Sequence, residues 1–477
     1  MVHDLQPALF NFFRGRTVEV HQVEEHVSCD GGLVVFRELD EKLRLTESFA
    51  CAIGEARNNP RHSLLSVIRQ RVFGIIAGYE DQDDHDTLRS DPIFKLIAGR
   101  TIEDEHLASQ PTISRVENAV TPRDLLALEN WFIETFVNSF EEPPSRVTLD
   151  IDTFADPTHG AQQLTFFNGF YSQYMYQERV ITCAENEQVV LPALLYGTAN
   201  VALAADDDLL RIIDALRKKY PDVEIHVRAD SGFAKPYVYR ALESRPGVTY
   251  SIGYQMNSKM RQFTDELKCV AELAFESTGE EQRRFTHLKH RARSWKRERD
   301  LVFKCEVTSE GTNRRVVVTN RPGAEYYPDG VYQEYGDRGE SENRNKELSV
   351  DLCAGRLSDH RYMANLFRMM LHCVSYNLLA RLRRIAANPL VEPKDPDTDL
   401  PLEARSTTQK SRYRSRNRRH DPLGRGQAMT WRTLVVKVAA RVELLSRKIR
   451  LLIPSSWPHW RHLQRVNVAL SSYCASD

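Results

Sequence analysis

The chain makes little organised use of cysteine. Its eight residues (Cys29, Cys51, Cys183, Cys269, Cys305, Cys353, Cys373, Cys474) include no C-x-x-C pair and no Cys/His finger spacing. A zinc finger and a disulfide framework are therefore not expected. No run of about 20 apolar residues occurs, so no membrane-spanning helix is expected. The opening stretch MVHDLQPALFNFFRGRTVEV lacks the basic-then-apolar pattern of a signal peptide, which places the expected site of action in the cytoplasm. No internal repeat is visible. Net charge is also nearly absent, at -1 for 477 residues, but the sum hides a separation. The first hundred residues are acid-rich, whereas long stretches after 280 are dense in Arg and Lys, the pattern of a protein with local basic surfaces. A hydrophobic content of 41% with 27% charged residues excludes a disordered or collagen-like class.

What is present divides the chain into unlike textures. Between 33 and 138, LVVFRELDEKL, SLLSVIRQRVFGIIAGY and RDLLALENWFIETFVNSF carry apolar residues three and four apart, which predicts helices. Glu141-Glu142-Pro143-Pro144 breaks that pattern, because paired prolines remove backbone donors. From Val147 short β-rich runs follow (VTLDIDTF, QLTFFN, YMYQERVIT, VVLPALLYG), then an amphipathic helix from about Asp206 to Tyr220 and the strand EIHVRAD. This order predicts a mixed α/β sheet with covering helices. The expected divisions are a helical domain over 1–145, a core in two parts over 146–254 and 331–390, a β-rich basic insertion over 255–330 that interrupts the core, and a linker with a basic C-terminal region over 391–477. Within that last region SRYRSRNRRH reads as a flexible arm, and TLVVKVAARVELLSRKIRLLI as a strand or an amphipathic helix.

Chemistry is carried by acids at three places: Asp150 and Asp152 on the first strand, Asp230 at the end of a later strand, and Glu342 at the opening of a helix. Side chains two apart on a strand share a face, so Asp150 and Asp152 burden one face with two carboxylates. That is costly to bury unless a cation sits there. Singly, each acid has an ordinary explanation: a sheet edge for Asp150 or Asp152, turn or helix-cap chemistry for the Asp-Ser-Gly at 230, and a solvated helix surface for Glu342. Together they supply what phosphodiester cleavage at neutral pH needs, oxygen ligands for two magnesium ions about 3.5 to 4 Å apart.

Three blocks carry a resemblance: LDIDTFADPTHGAQQLTFFNGFY (Leu149 to Tyr171), HVRADSGFAKPYVYRALE (His226 to Glu243) and YGDRGESENRNKEL (Tyr335 to Leu348). They resemble, in order and spacing, the catalytic blocks of IS1380-family bacterial insertion-sequence transposases. SQPTISRVENAV and RYMANLFRMMLHCVSYNLL extend the likeness over most of the chain. The third block is also similar to the broader IS4-type signature, here Tyr335, Arg338 and Glu342. The resemblance implies an RNase H-like core and a DDE transposase that cleaves and joins DNA with Mg²⁺ as cofactor, two ions, Mn²⁺ being able to substitute. It assigns Asp152, Asp230 and Glu342 as catalytic metal ligands, with Asp150 as a further candidate ligand. Arg338 and Tyr335 are expected to position DNA. The signature's Lys seven residues after the Glu is Ser349 here, and Lys346 is the nearest substitute. Thr153 stands one place earlier than the pattern's hydroxyl residue, which leaves the choice between Asp150 and Asp152 open, with Asp152 favoured because Thr153 follows it directly.

Double-stranded DNA, as inverted-repeat ends and as target, is the implied partner, held by a homodimer in a paired-end complex on the bacterial nucleoid, with no membrane. In the insertion, Arg291, Arg293 and Arg297 surround Trp295, a mixture suited to phosphate contact and base stacking. The competing reading is a solvated basic hairpin with Trp295 turned inward. SQPTISRVENAV resembles the end of a recognition helix, with Arg115 reaching DNA; a plain capped helix is the alternative. Two other functions remain open: a catalytically inactive, transposase-derived DNA-binding protein, and an RNase H-like DNA-processing nuclease.

Overall fold

A computed structural model describes residues 6–388 and 407–473. Most of the expected linker, and Cys474, lie outside the described residues; the seven other cysteines are free. The N-terminal region is helical: α1 (Leu33–Leu43), α2 (Leu45–Ile53), α3 (Leu64–Ala77), α4 (Gln110–Asn118) and α5 (Pro122–Val137). Local chemistry sets their starts. Ser63 caps α3 by accepting from Ser66 N, and Thr121 and Asp124 cap α5 reciprocally, with Pro122 at the first helical position where no donor is lost.

A nine-stranded mixed sheet forms the centre. Its strands are β1 (Arg146–Pro157), β2 (Phe166–Asn168), β3 (Gln173–Cys183), β4 (Val189–Tyr196), β5 (Glu224–Ala229), β6 (Val248–Tyr254), β7 (Gln282–His290), β8 (Arg299–Thr308) and β9 (Gly311–Thr319). Within it, β4, β3, β1, β5 and β6 lie side by side; β3 is antiparallel to β4 and β1, while β1, β5 and β6 run parallel. The parallel crossovers pass through α6 (Ala205–Lys219) and α7 (Pro236–Glu243). Helix α6 buries Leu209, Ile212, Ile213 and Leu216, and its Asp206–Asp208 start and Arg217–Lys219 end complement the helix dipole. In β1, Val147, Leu149 and Ile151 join the core on one face, leaving Asp150 and Asp152 on the other.

The insertion is not an interruption, which corrects the sequence reading. Strands β7, β8 and β9 form an antiparallel meander, and β9 pairs antiparallel with β6 from Val316↔Tyr254 to Thr319↔Ser251. The meander thus continues the main sheet and covers the otherwise open edge of β6. The same stretch also holds a helix, α8 (Asp265–Thr278), whose Leu267, Ala271 and Phe275 meet Cys305 and Val307.

After the sheet come α9 (Pro328–Gly336), α10 (Gly339–Lys346) and the 25-residue α11 (Tyr362–Ala386). Helix α11 is buried on nearly every side and shares one hydrophobic core with the N-terminal helices. The expected flexible arm is instead a helix, α12 (Thr407–His420), held against α10 by an Arg414–Glu340 ion pair at 2.5 Å. The last basic segment resolves as a hairpin of strands Ala440–Leu445 and Lys448–Leu452.

Candidate active site

The register of the two central parallel strands builds the site. Asp150 lies beside Arg228 and Ile151 beside Ala229, so Asp152 and Asp230 emerge as neighbours where β5 ends. Asp230 then caps a short turn, its Oδ1 accepting from Gly232 N at 2.8 Å. A third wall comes from α9 and α10, which bring Tyr335, Arg338 and Glu342. Gly253 on β6 makes room for it: a Cβ there would lie 2.7 Å from Tyr335 Oη and 3.1 Å from Ser231 N.

Arg338 is the hinge of the arrangement. Its Nη1 donates to Asp152 Oδ2 at 2.9 Å and its Nη2 to Glu342 Oε1 at 3.0 Å. The guanidinium carbon is 6.0 Å from the Tyr335 ring centre. The side chains of Arg338 and Asp152 are 14% and 13% exposed, and that of Glu342 is 54% exposed. Burial pushes the Asp152 carboxyl up to about 6; Arg338 opposes this, while the charges of Asp230 and Glu342 add to it. Arg338 itself is raised, because Asp152, Tyr335, Glu342 and Asp230 together outweigh the effect of its burial. Lys346 is exposed one turn beyond Glu342 on α10.

The two acids of β1 part company. Asp150 is fully buried and bidentate with Arg228, at 2.6 and 2.8 Å, with Arg344 Nη1 a further 3.6 Å away. Arg228 also donates to Glu334 O at 2.9 Å. The structure thus commits Asp150, expected as a further metal ligand, to a structural ion pair. Sequence reasoning missed Arg228 and Arg344. The signal for Arg228 was present in HVRAD, where it precedes Asp230 by two and so shares its strand face.

Among the described residues no group of three or more His, Cys, Asp or Glu side chains is arranged to hold a metal ion. Arg338 fills the space between two of the expected ligands. In donor type the residues nevertheless fit a hard divalent cation: all are carboxylates, and Asp152 is desolvated among like charges that a cation would relieve.

The DNA-contact candidates divide. Trp295 is 4% exposed, packed edge-on against Tyr239 and Tyr254 with the Arg299 guanidinium 5.1 Å from its ring centre. It is a core residue, so its expected base-stacking role is corrected. The loop after β7 folds the indole onto α7 and β6, and its burial there outweighs any gain from exposure. Arg291, Arg293 and Arg297 are exposed, although Arg291 Nε donates to Trp295 O at 3.4 Å and Arg297 reaches back to Glu243 at 2.7 Å. Arg115 is exposed on α4, whose other face buries Ile113, Val116 and Glu117.

Strand order, mixed orientation and acids gathered at the ends of adjacent parallel strands define an RNase H-like α/β fold. The chain belongs to the family described as Transposase DDE domain group 1, whose model matches residues 10–392. It is a DDE transposase, a member of a nucleic-acid-cleaving family. Among solved structures it is similar to a piggyBac transposase, from a cryo-EM structure of its synaptic complex with hairpin DNA. That likeness has 12% identity and a TM-score of 0.37 over 79% of this chain and 77% of that one. No curated protein matches the chain. Among the described residues no helix is long and apolar enough to cross a membrane.

Proposed function

We propose that the chain is the cut-and-paste transposase of an IS1380-type insertion sequence, acting in the bacterial cytoplasm on nucleoid DNA. In this reading it nicks the inverted-repeat ends by hydrolysis and joins the freed 3′ hydroxyls to target DNA, as a homodimer pairing two ends. The observation that carries the reading is that Arg338 bridges Asp152 and Glu342, with Asp230 at the end of the strand paired beside that of Asp152. Those three carboxylates would hold Mg²⁺ or Mn²⁺, two ions, which when bound supply an activated oxygen nucleophile and stabilise the leaving oxygen. Arg338, once drawn off the carboxylates, is placed to pair with a scissile phosphate beside Glu342. Tyr335 orients Arg338, and Lys346 continues the same helix face toward the DNA backbone.

The test is strand cleavage of the gene's own flanking DNA with Mg²⁺ and with Mn²⁺. Asp152→Ala, Asp230→Ala and Glu342→Ala are each expected to abolish cleavage while end binding persists. Normal cleavage by all three would overturn the assignment. A wild-type chain that binds the ends but cleaves with neither metal would establish the inactive, DNA-binding reading instead.

A further inference from the structure

Far along the chain from the acids, the N-terminal helices enclose an open cavity of about 400 Å³. The loop between α2 and α3 supplies Arg57, Arg61 and His62 to its lining, the segment before α4 supplies Arg89 and His106, and α4 supplies Arg115. No carboxylate lines it among the described residues. Arg57 and Arg61 are balanced from outside by Glu55 at 2.6 Å and Glu105 at 2.7 Å. Arg89 and Arg115 have no ion-pair partner among the described residues, so two positive charges face the cavity uncompensated. The local field is felt by His62, lowered first by burial and then by Arg100, Arg61 and Arg57.

The cavity is also held in shape. On the opposite face of α4, buried Glu117 takes Arg71 at 2.8 Å and Arg368 of α11 at 2.5 Å, which fixes the helix with Arg115 outward. Thr112 and Ser109 add hydroxyls to the lining, 3.2 Å from each other. A concave, carboxylate-free site with two unpaired guanidiniums and two hydroxyls recognises an anion carrying several acceptor oxygens. The volume admits a phosphate together with its sugar, and the opening lets a chain continue on either side.

We propose that this cavity is a phosphodiester clamp, in which Arg89 and Arg115 grip the backbone of duplex DNA at a point separate from the acid site. The proposal rests on the chain's being a DNA-acting transposase. It extends the expected role of Arg115 from a lone surface contact to a built site.

The experiment uses the full chain carrying Asp152→Asn, so that DNA is bound without being cut, and a blunt duplex of arbitrary sequence. The slope of log affinity against log salt is measured with and without Arg89→Ala/Arg115→Ala. A loss of about 0.9 in slope per phosphate contact is expected, close to 2 in all. Arg89→Lys/Arg115→Lys should restore most of it, which separates loss of charge from loss of fold. An unchanged slope with duplex binding intact overturns the clamp but leaves the transposase reading standing. Failure of the parent chain to bind any duplex overturns both. If inorganic phosphate binds at millimolar concentration and the double variant loses that binding while the duplex slope is unchanged, the site takes a free anion, and the DNA assignment falls.

Discussion

Asp150 and Asp152 are two residues apart on one strand face, and neutralising them should move stability in opposite directions. Asp150→Asn keeps shape but strands the charge of Arg228, whose side chain is 5% exposed and whose bidentate partner is lost. Breaking a buried pair from one side costs about 3 to 5 kcal/mol. Asp152 is the reverse case. Its folded-state carboxyl is raised from 3.8 to about 6, with burial the first cause. A raised carboxyl favours the protonated fold, so the penalty for ionisation is absent below about pH 4, grows through the interval to about 6, and is complete above it. At roughly 1.4 kcal/mol for each tenfold, the full penalty is about 3 kcal/mol. Asp152→Asn removes it, while Arg338 gives up one ion pair but keeps Glu342; the net gain should be about 1 to 2 kcal/mol at pH 8 and nil at pH 4. The assay is thermal unfolding of wild type and both variants at those two pH values, run beside strand cleavage. Asp150→Asn should melt earlier yet keep cleavage reduced about 10-fold to 100-fold, as for a residue acting behind the ligands. Asp152→Asn should melt later at pH 8 and not cleave. Equal destabilisation by both at pH 8 would refute the reasoning, making Asp152 a structural partner of Arg338.

Three further outcomes follow from the same contacts. Trp295→Ala should cost about 3 to 5 kcal/mol in unfolding free energy, as a buried aromatic does, whereas removing Arg291, Arg293 and Arg297 together should cost far less, because Glu243 keeps its pair with Arg299, and should flatten the salt dependence of DNA binding; the opposite pattern would return Trp295 to the DNA. Arg338→Ala should raise the Asp152 carboxyl above its present value, since Arg338 is what lowers it, and should enlarge the melting shift produced by Mg²⁺, because no guanidinium has to be displaced; an unchanged or smaller shift would count against Arg338 as a stand-in cation. Asp156 and Glu178, buried on neighbouring strands, are both raised by burial, Asp156 to about 8, with their mutual repulsion lifting Glu178 further. Stability should therefore fall as pH rises from about 4 through 8, and Glu178→Gln should flatten that decline in a melting series; identical profiles would remove the pair from the account.

Much of the architecture was written in periodicity. The spacing of three and four over 33–138 became α1 to α5, and the shift to alternation at Val147 became β1. What periodicity cannot express is register. Whether β9 would close the edge of β6 or form a separate lobe depends on which strand edges remain open after the core assembles, and no local pattern in RRVVVTN records that. The same limit applies to Asp150. Its isolation from the site follows from the pairing Asp150↔Arg228 across two strands 78 residues apart. Trp295 shows another limit: the basic residues around it are solvated, and charge density in a loop does not decide between the two orientations of one indole. Helix α12 shows the converse, a densely charged segment that is helical and meets α10 through the exposed Arg414–Glu340 pair.

Placing acids together carries a cost the fold has to meet before any substrate or metal arrives. A strand with carboxylates at 150, 152 and 156 on one face would repel itself out of the sheet in the absence of compensation. Each acid meets the problem differently: Asp150 by a guanidinium inside the sheet, Asp156 by retaining a proton, Asp152 by a guanidinium delivered from another segment. Only the last guanidinium comes from the junction of two short helices and already shares itself with an acid that faces water, Glu342. Arg228 cannot leave Asp150 without exposing the centre of the sheet, whereas in the proposed reading Arg338 exchanges Asp152 for a phosphate and leaves its carboxylate to a metal cation. In the proposed reading the acid that can change counter-ion is the one that takes part in a reaction on DNA, and that distinction, more than its number in the strand, separates Asp152 from its neighbours.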